Sequence, residues 1–145
     1  MKKLSFVLLV TLLLGLCSCA PAPNGAEIFD IKDPQSITLS HTEYTVLSAL
    51  APIDNYLYVD DAADMDAILH LLNGLTLTEI EPQDHALIHY SVRIQCQHAV
   101  RNIIVSGSIL HCSWTGKVYR ADRDITEELK GYLTRDVGKS VDAKE

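Results

Sequence analysis

Apolar positions along this chain follow two periods. Ile88, Tyr90, Val92, Ile94 and Cys96 alternate with His89, Ser91, Arg93 and Gln95. Period two places one set on each face of a strand. One apolar and one polar face is the mark of an antiparallel sheet with one side in water. The same alternation, in shorter runs, marks Ile37 to Leu39, with Tyr44, Val46 and Leu47 following, then "NYLYV" at 55–59 and "LTLTEIE" before Pro82. Beyond residue 100, "RNIIVSGSILHCSWTGKVYRAD" carries turn signals at Ser106-Gly107 and Thr115-Gly116. Strand-like runs between such turns predict a meander.

Two segments switch to the helical period. Met65, Ile68, Leu69 and Leu72 fall at i, i+3, i+4 and i+7, one face of a helix. Asp60 or Asp61 supplies its cap, and Asp64 and Asp66 suit the positive end of its dipole. Asn73 or Gly74 ends it by taking the left-handed conformation. In "DITEELKGYL", Asp124 and Glu127 have capping-box spacing, and Ile125, Leu129, Tyr132 and Leu133 form a stripe that Gly131 weakens. The order is strands, helix, four or five strands, helix. That order predicts an α+β fold: an antiparallel sheet, a meander, with one central and one C-terminal helix packed on one face.

The first residues follow neither period. Lys2 and Lys3 precede an apolar run from Leu4 to Leu16, about 13 residues against the roughly 20 a spanning helix needs. This is the h-region of a secretory signal. It ends Leu16-Cys17-Ser18-Cys19, which resembles the lipobox of bacterial lipoproteins. With Cys19 at +1, Leu16 fills −3 and Ser18 fills −1; with Cys17 at +1, Leu16 is too large for −1. The resemblance implies a diacylglyceryl thioether on Cys19, cleavage before it, and acylation of the new amine. Each buried CH₂ contributes about 0.8 kcal/mol, so two or three chains hold where one does not. The expected organisation is a signal peptide at 1–18, a lipidated N-terminus and flexible tether at 19–33, one α+β domain at 34–137 and a polar tail at 138–145. The expected location is the extracytoplasmic face of the cell membrane.

Charge narrows the partners. The chain has 12 basic and 19 acidic residues, net −7. Losing Lys2 and Lys3 leaves ten basic residues against 19 acidic ones, a net charge of about −9. An acidic surface argues against nucleic acid, which needs clustered Lys and Arg. It also argues against a polybasic grip on anionic lipid, so the acyl chains carry the membrane attachment.

Beyond the leader, the acidic helix ending "LLNGL", the "YSVRI" strand and the "IIVSGSIL" and "GKVY" hairpins resemble an uncharacterised class of small lipoproteins of low-GC Gram-positive bacteria. The resemblance runs from about Ile37 to Leu133. It implies the fold and the location, and brings no catalytic residues.

Little in the sequence suggests reaction chemistry. Cys96 and Cys112 fall on strands separated by a third, about 9.5 Å apart, beyond the roughly 7 Å a disulfide allows. Two buried, reduced thiols are expected. His41, His70, His85, His89, His98 and His111 are scattered, without the i, i+4 spacing of a zinc helix or paired cysteines. His111 and Cys112 are strand neighbours and face opposite ways, so one cannot activate the other. No nucleophile elbow or phosphate loop appears. The expectation is a binding or interaction module: no enzyme, no cofactor, and an unknown protein or small-molecule partner. Its surface would be the polar sheet face, with His89, Arg93, Gln95 and His111, and with Trp114 and Tyr119 at the rim. The alternative is a metal or small ligand held by surface histidines, His89 and His111 above all.

Overall fold

The computed structural model describes residues 22–43, 53–82 and 88–139. The leader with Cys17 and Cys19, the segment with Tyr44, Val46 and Leu47, His85, and the tail beyond Lys139 lie outside them. The elements in chain order are α1 (Gly25–Phe29), β1 (Pro34–Glu43), β2 (Ile53–Val59), α2 (Ala62–Asn73), β3 (Leu77–Ile80), β4 (Ile88–Cys96), β5 (Val100–Ser106), β6 (Ile109–Cys112), β7 (Lys117–Ala121) and α3 (Thr126–Lys139). The strands form one seven-stranded antiparallel sheet in the order β2-β1-β4-β5-β6-β7-β3. This is the α+β arrangement that the two periods predict. The meander runs β4 to β7, while α2 carries the chain from one edge strand to the other.

Register decides which residues meet. Val59, Ile37 and Ile94 lie in one row across β2, β1 and β4. Leu39, Val92, Ile103 and Cys112 lie in the next, and Tyr90, Val105, Leu110 and Tyr119 in a third. All of these are buried in one cluster. Ile68, Leu69 and Leu72 of α2, Ile125 and Leu129 at the start of α3, and Phe29 of α1 belong to the same cluster. The three helices therefore all cover one face of the sheet.

The helix ends are built from short polar side chains. Asp61 caps α2, its Oδ1 accepting from the N–H groups of Ala63 and Asp64 at 3.0 and 3.1 Å. Gly74 closes that helix in the right-handed region (φ −79°), where a left-handed cap is expected; its N–H donates to the His70 carbonyl at 3.0 Å. Asp124 Oδ1 accepts from the Thr126 N–H and hydroxyl at 2.8 and 2.6 Å, holding the chain as it enters α3.

Three expectations need correction. The first is the tether at 19–33. Its latter part is folded: Asn24 caps α1 through a bond from the Glu27 N–H, and Phe29 is fully buried. The Gly25 N–H donates to the Leu75 carbonyl at 2.8 Å, and Leu77 donates to Pro23 at 3.0 Å. Five residues of weak helical period gave no signal of this, because a single turn has no period to read. The second is the β5–β6 turn, which lies at Gly107-Ser108, with Gly107 left-handed (φ 60°). One residue of shift moves the pairing by two, so Cys112 sits opposite Ile103 rather than Arg101. The third is the β4–β5 turn, which the sequence pattern puts near His98-Ala99 with Cys96 opposite Arg101 or Asn102: Cys96 donates its N–H to the Ala99 carbonyl at 2.9 Å, which places Gln97-His98 in the turn and Cys96 opposite Ala99. Cys96 and Cys112 remain on β4 and β6 with β5 between them, and both are free, buried thiols.

Two outcomes follow from this packing. A methyl group at Gly25 would run into the Leu72 carbonyl oxygen and meet Phe29 at 2.9 Å. Gly25→Ala is expected to cost about 1–3 kcal/mol and to lower Tm by roughly 5–10 °C; an unchanged melting curve would show that α1 does not pack on α2. Burial pushes the Cys112 thiol up to about 12 from 9.0, and it pushes the phenols of Tyr90 and Tyr119 up as well. A group that keeps its proton longer when folded supports stability below its unfolded pKa and loses that support as pH rises. Stability should therefore fall from about pH 9 upward, and Cys112→Ala should flatten part of that fall in melts between pH 8 and 11.

Candidate functional site

The second face of the sheet carries the remaining strand residues, and register sets them in rows. Tyr58, Thr38, Arg93 and Asn102 form one row across β2, β1, β4 and β5. Tyr56, Ser40, Ser91, Ile104, His111, Val118 and Ile80 form the next, across the whole sheet. None of these residues belongs to the helix-side cluster. Tyr56 is 77 % exposed and Tyr58 61 %. The Ser91 hydroxyl donates to Asn102 Oδ1 at 2.7 Å, and Asn102 Nδ2 reaches Ser113 at 3.4 Å, a polar seam beside Arg93. Toward β7 the face closes, since Val118 is only 2 % exposed. The open part is the β2–β1–β4 end.

Residues expected to act together are spread out. His89, Arg93, Gln95 and His111 are all on this face, as alternation predicts. His89 lies near the start of β4 and Arg93 in its middle, on either side of Ser91. His111 shares the row of Ser91 but stands two strands away, so its Cα is about 11–12 Å from those of His89 and Arg93. No group of three His, Cys, Asp or Glu residues is placed to hold a metal ion among the described residues. Trp114 and Tyr119 turn to the helix side instead of the rim. Tyr119 pairs with Leu110 and is 6 % exposed. Trp114 meets Phe29 edge-on at 6.5 Å and lies under the Arg101 guanidinium, 5.1 Å from ring centroid to Cζ. The turn at residues 113–116 breaks the alternation, so counting by two misassigns Trp114. The tyrosines of "NYLYV" were the legible signal: two residues apart, they share a face.

Two hollows lie on the helix side. One, of about 220 Å³, is lined by Asp30, Asp33, Lys32, Cys96, His98 and Arg101, among others. Asp30 and Asp33 both adopt left-handed backbone conformations there (φ 44° and 49°), and Lys32 pairs with Asp30 at 3.0 Å. The Nε of Arg101 is buried without a hydrogen-bond partner. The other is a groove of about 520 Å³ where α3 begins, between Thr126 and Lys130 on one side and the ends of β1 and β4 on the other. The His41 ring stacks on Tyr90 within it, centroids 4.7 Å apart and planes 31° apart. Burial raises the Tyr90 phenol, and the carboxylates of Glu127 and Asp124 raise it further.

Among the described residues, Cys96 and Cys112 are both buried, and burial pushes the Cys112 thiol up to about 12, which keeps it protonated at neutral pH. A protonated thiol is a poor nucleophile. No protein-family model, no curated protein and no solved structure matches this chain.

Proposed function

We propose that this chain is a lipid-anchored extracytoplasmic binding module that meets its partner through the open end of the second sheet face. The observation that supports binding is the segregation of the helices. They take one face, and the other is left with two exposed tyrosines, Arg93 and a row of Ser and Thr side chains at its β2–β1–β4 end. Aromatic side chains with arginine are the types enriched in interfaces. The anchoring half of the proposal is carried by the sequence Lys2-Lys3, the apolar run and Leu16-Cys17-Ser18-Cys19. No helix among the described residues is long and apolar enough to cross a membrane.

The folded N-terminal segment sharpens the geometry of that anchor. Among the described residues, hydrogen bonding to the body of the domain begins at Pro23. Three residues, 20–22, then lie between a lipidated Cys19 and Pro23, four chain steps with a reach of at most about 14 Å at full extension. The β3 end of the sheet, to which residues 23–25 are bonded, would sit next to the bilayer, and the β2 edge away from it.

Cell fractionation tests the anchor. The native chain should partition with membranes, and Cys19→Ser should release it or leave it unprocessed; equal retention of both would refute anchoring. Capture of partners from intact cells tests the face. Tyr56→Ser/Tyr58→Ser should reduce capture of a specific partner at least about fivefold, as expected for aromatic anchors worth 1 kcal/mol or more each, while Tm changes little.

A further inference from the structure

The two edges of the sheet end differently. At the β3 edge residues 23–25 bond to Leu75 and Leu77, whereas among the described residues β2 pairs with β1 alone. An edge strand presents a row of unpaired N–H and C=O groups. Natural edges are blunted by charges, lysine above all, by proline, by a bulge or by shortness. β2 has one such feature, the charge of Asp54. Its seven residues, "IDNYLYV", hold neither lysine nor proline. They pair with β1 residue for residue, from Ile37 with Val59 to Glu43 with Ile53, without a shift. Tyr56 and Tyr58 stand exposed on the second face, and Leu57 is half-buried at the margin of the core.

Charge decides what kind of strand this edge suits. No lysine or arginine lies between Lys32 and Arg93, so β1, β2, α2 and β3 carry acidic residues and no basic one. Asp54 lies within β2, Glu43 pairs with its first residue, and Asp60 and Asp61 follow its last. Arg93 stands two strands in, across Thr38 from Tyr58. On the helix side α3 packs against β2, and it adds no net charge: Glu127, Glu128 and Asp136 balance Lys130, Arg135 and Lys139. A second copy of this chain would bring the same acidic edge and be repelled, since like charges on facing strands are destabilising. We infer that the β2 edge takes up an extended basic segment of another polypeptide as one more strand. Main-chain hydrogen bonds to β2 supply affinity, and alternate side chains supply specificity. Neighbouring strands lie about 4.8 Å apart. Basic side chains of the added strand on the second face then stand beside the Tyr56 and Tyr58 rings, and aromatic faces attract cations. Its other side chains lie on the helix side next to Leu57, where apolar residues fit. The partner motif is thus a run that alternates basic and apolar residues.

The inference rests on the binding-module reading, for which it names the partner's chemistry, and is independent of the anchor. The test is titration of the full chain, in micelles of a neutral detergent, with a synthetic peptide of alternating lysine and valine. A peptide of about nine residues spans the seven of β2. One control replaces lysine by glutamate, and the other methylates the backbone nitrogens of the lysine peptide. Saturable binding of the lysine peptide is expected, with slowed hydrogen exchange at the β2 amides that do not bond to β1. Both controls should bind at least about tenfold more weakly. Asp54→Lys and Asp60→Lys should each weaken the lysine peptide by about three- to tenfold, with Tm little changed. Failure of the lysine peptide to bind, or equal binding of either control, would overturn the assignment. So would outward β2 amides already protected in the free chain. Protection that rises with protein concentration would give the edge to a second copy, and protection at every concentration to another segment of the same chain. Any of these results with partner capture still lost in Tyr56→Ser/Tyr58→Ser would refute the added strand alone and keep the reading of the sheet face.

Discussion

Burial of one face of the sheet under three helices is the constraint on which the rest of the structure depends. A seven-stranded antiparallel sheet has two faces, and this chain has enough apolar helix surface to cover one. Ile68, Leu69, Leu72, Ile125, Leu129 and Phe29 all enter the cluster formed by Ile37, Leu39, Val92, Ile94, Ile103 and Leu110. Fully burying a side chain of this size contributes roughly 1.5–3 kcal/mol. That face therefore dominates the stability of the domain. The opposite face can then carry polar residues along β1 and β4 at little cost. The place where a partner can meet the sheet is a consequence of where the helices are not.

The edges of the sheet are treated unequally. An edge strand offers unpaired backbone groups and is a hazard unless covered or paired. At β3 the covering is the segment Pro23–Gly25, bonded to Leu75 and Leu77 and bridged from Asn24 to Thr76. Asp122 reinforces the corner, its Oδ1 accepting from the Thr76 N–H and its own N–H donating back to the Thr76 carbonyl. Among the described residues, β2 pairs with β1 alone. The exposed tyrosines lie on that same strand, so the least protected edge and the most aromatic surface coincide. The His41–Tyr90 groove is a separate feature on the helix side, at the opposite face from Tyr56 and Tyr58.

Most of the architecture was legible because it is periodic. The alternation from Ile88 to Cys96 sets the faces of β4, and the spacing of Met65, Ile68, Leu69 and Leu72 sets the inner side of α2. Turn positions were legible only to within a residue. Reading Ser106-Gly107 instead of Gly107-Ser108 kept the cysteines on the same strands but changed the partner of Cys112. Features without a period were hidden. α1 is a single turn held by tertiary bonds to Leu75 and Leu77, so composition made it look like a linker. The site features were hidden for another reason. The stack of His41 on Tyr90 depends on the pairing of β1 with β4, and that of Arg101 on Trp114 depends on how the 113–116 turn folds back. Both are products of pairing at long range, and neither residue type announces its neighbour.

The one-faced core can be tested directly through its tyrosines, which sit on both sides of the sheet. Nitration of the native chain with tetranitromethane, mapped by mass spectrometry of its peptides, reports which rings solvent reaches. The account predicts fast modification of Tyr56 and Tyr58 on the second face, and protection of Tyr90 and Tyr119 beneath the helices until the chain is unfolded. Modification of Tyr90 or Tyr119 at the rate of Tyr56 in the folded protein would contradict it, because the helices could not then lie where the core requires them.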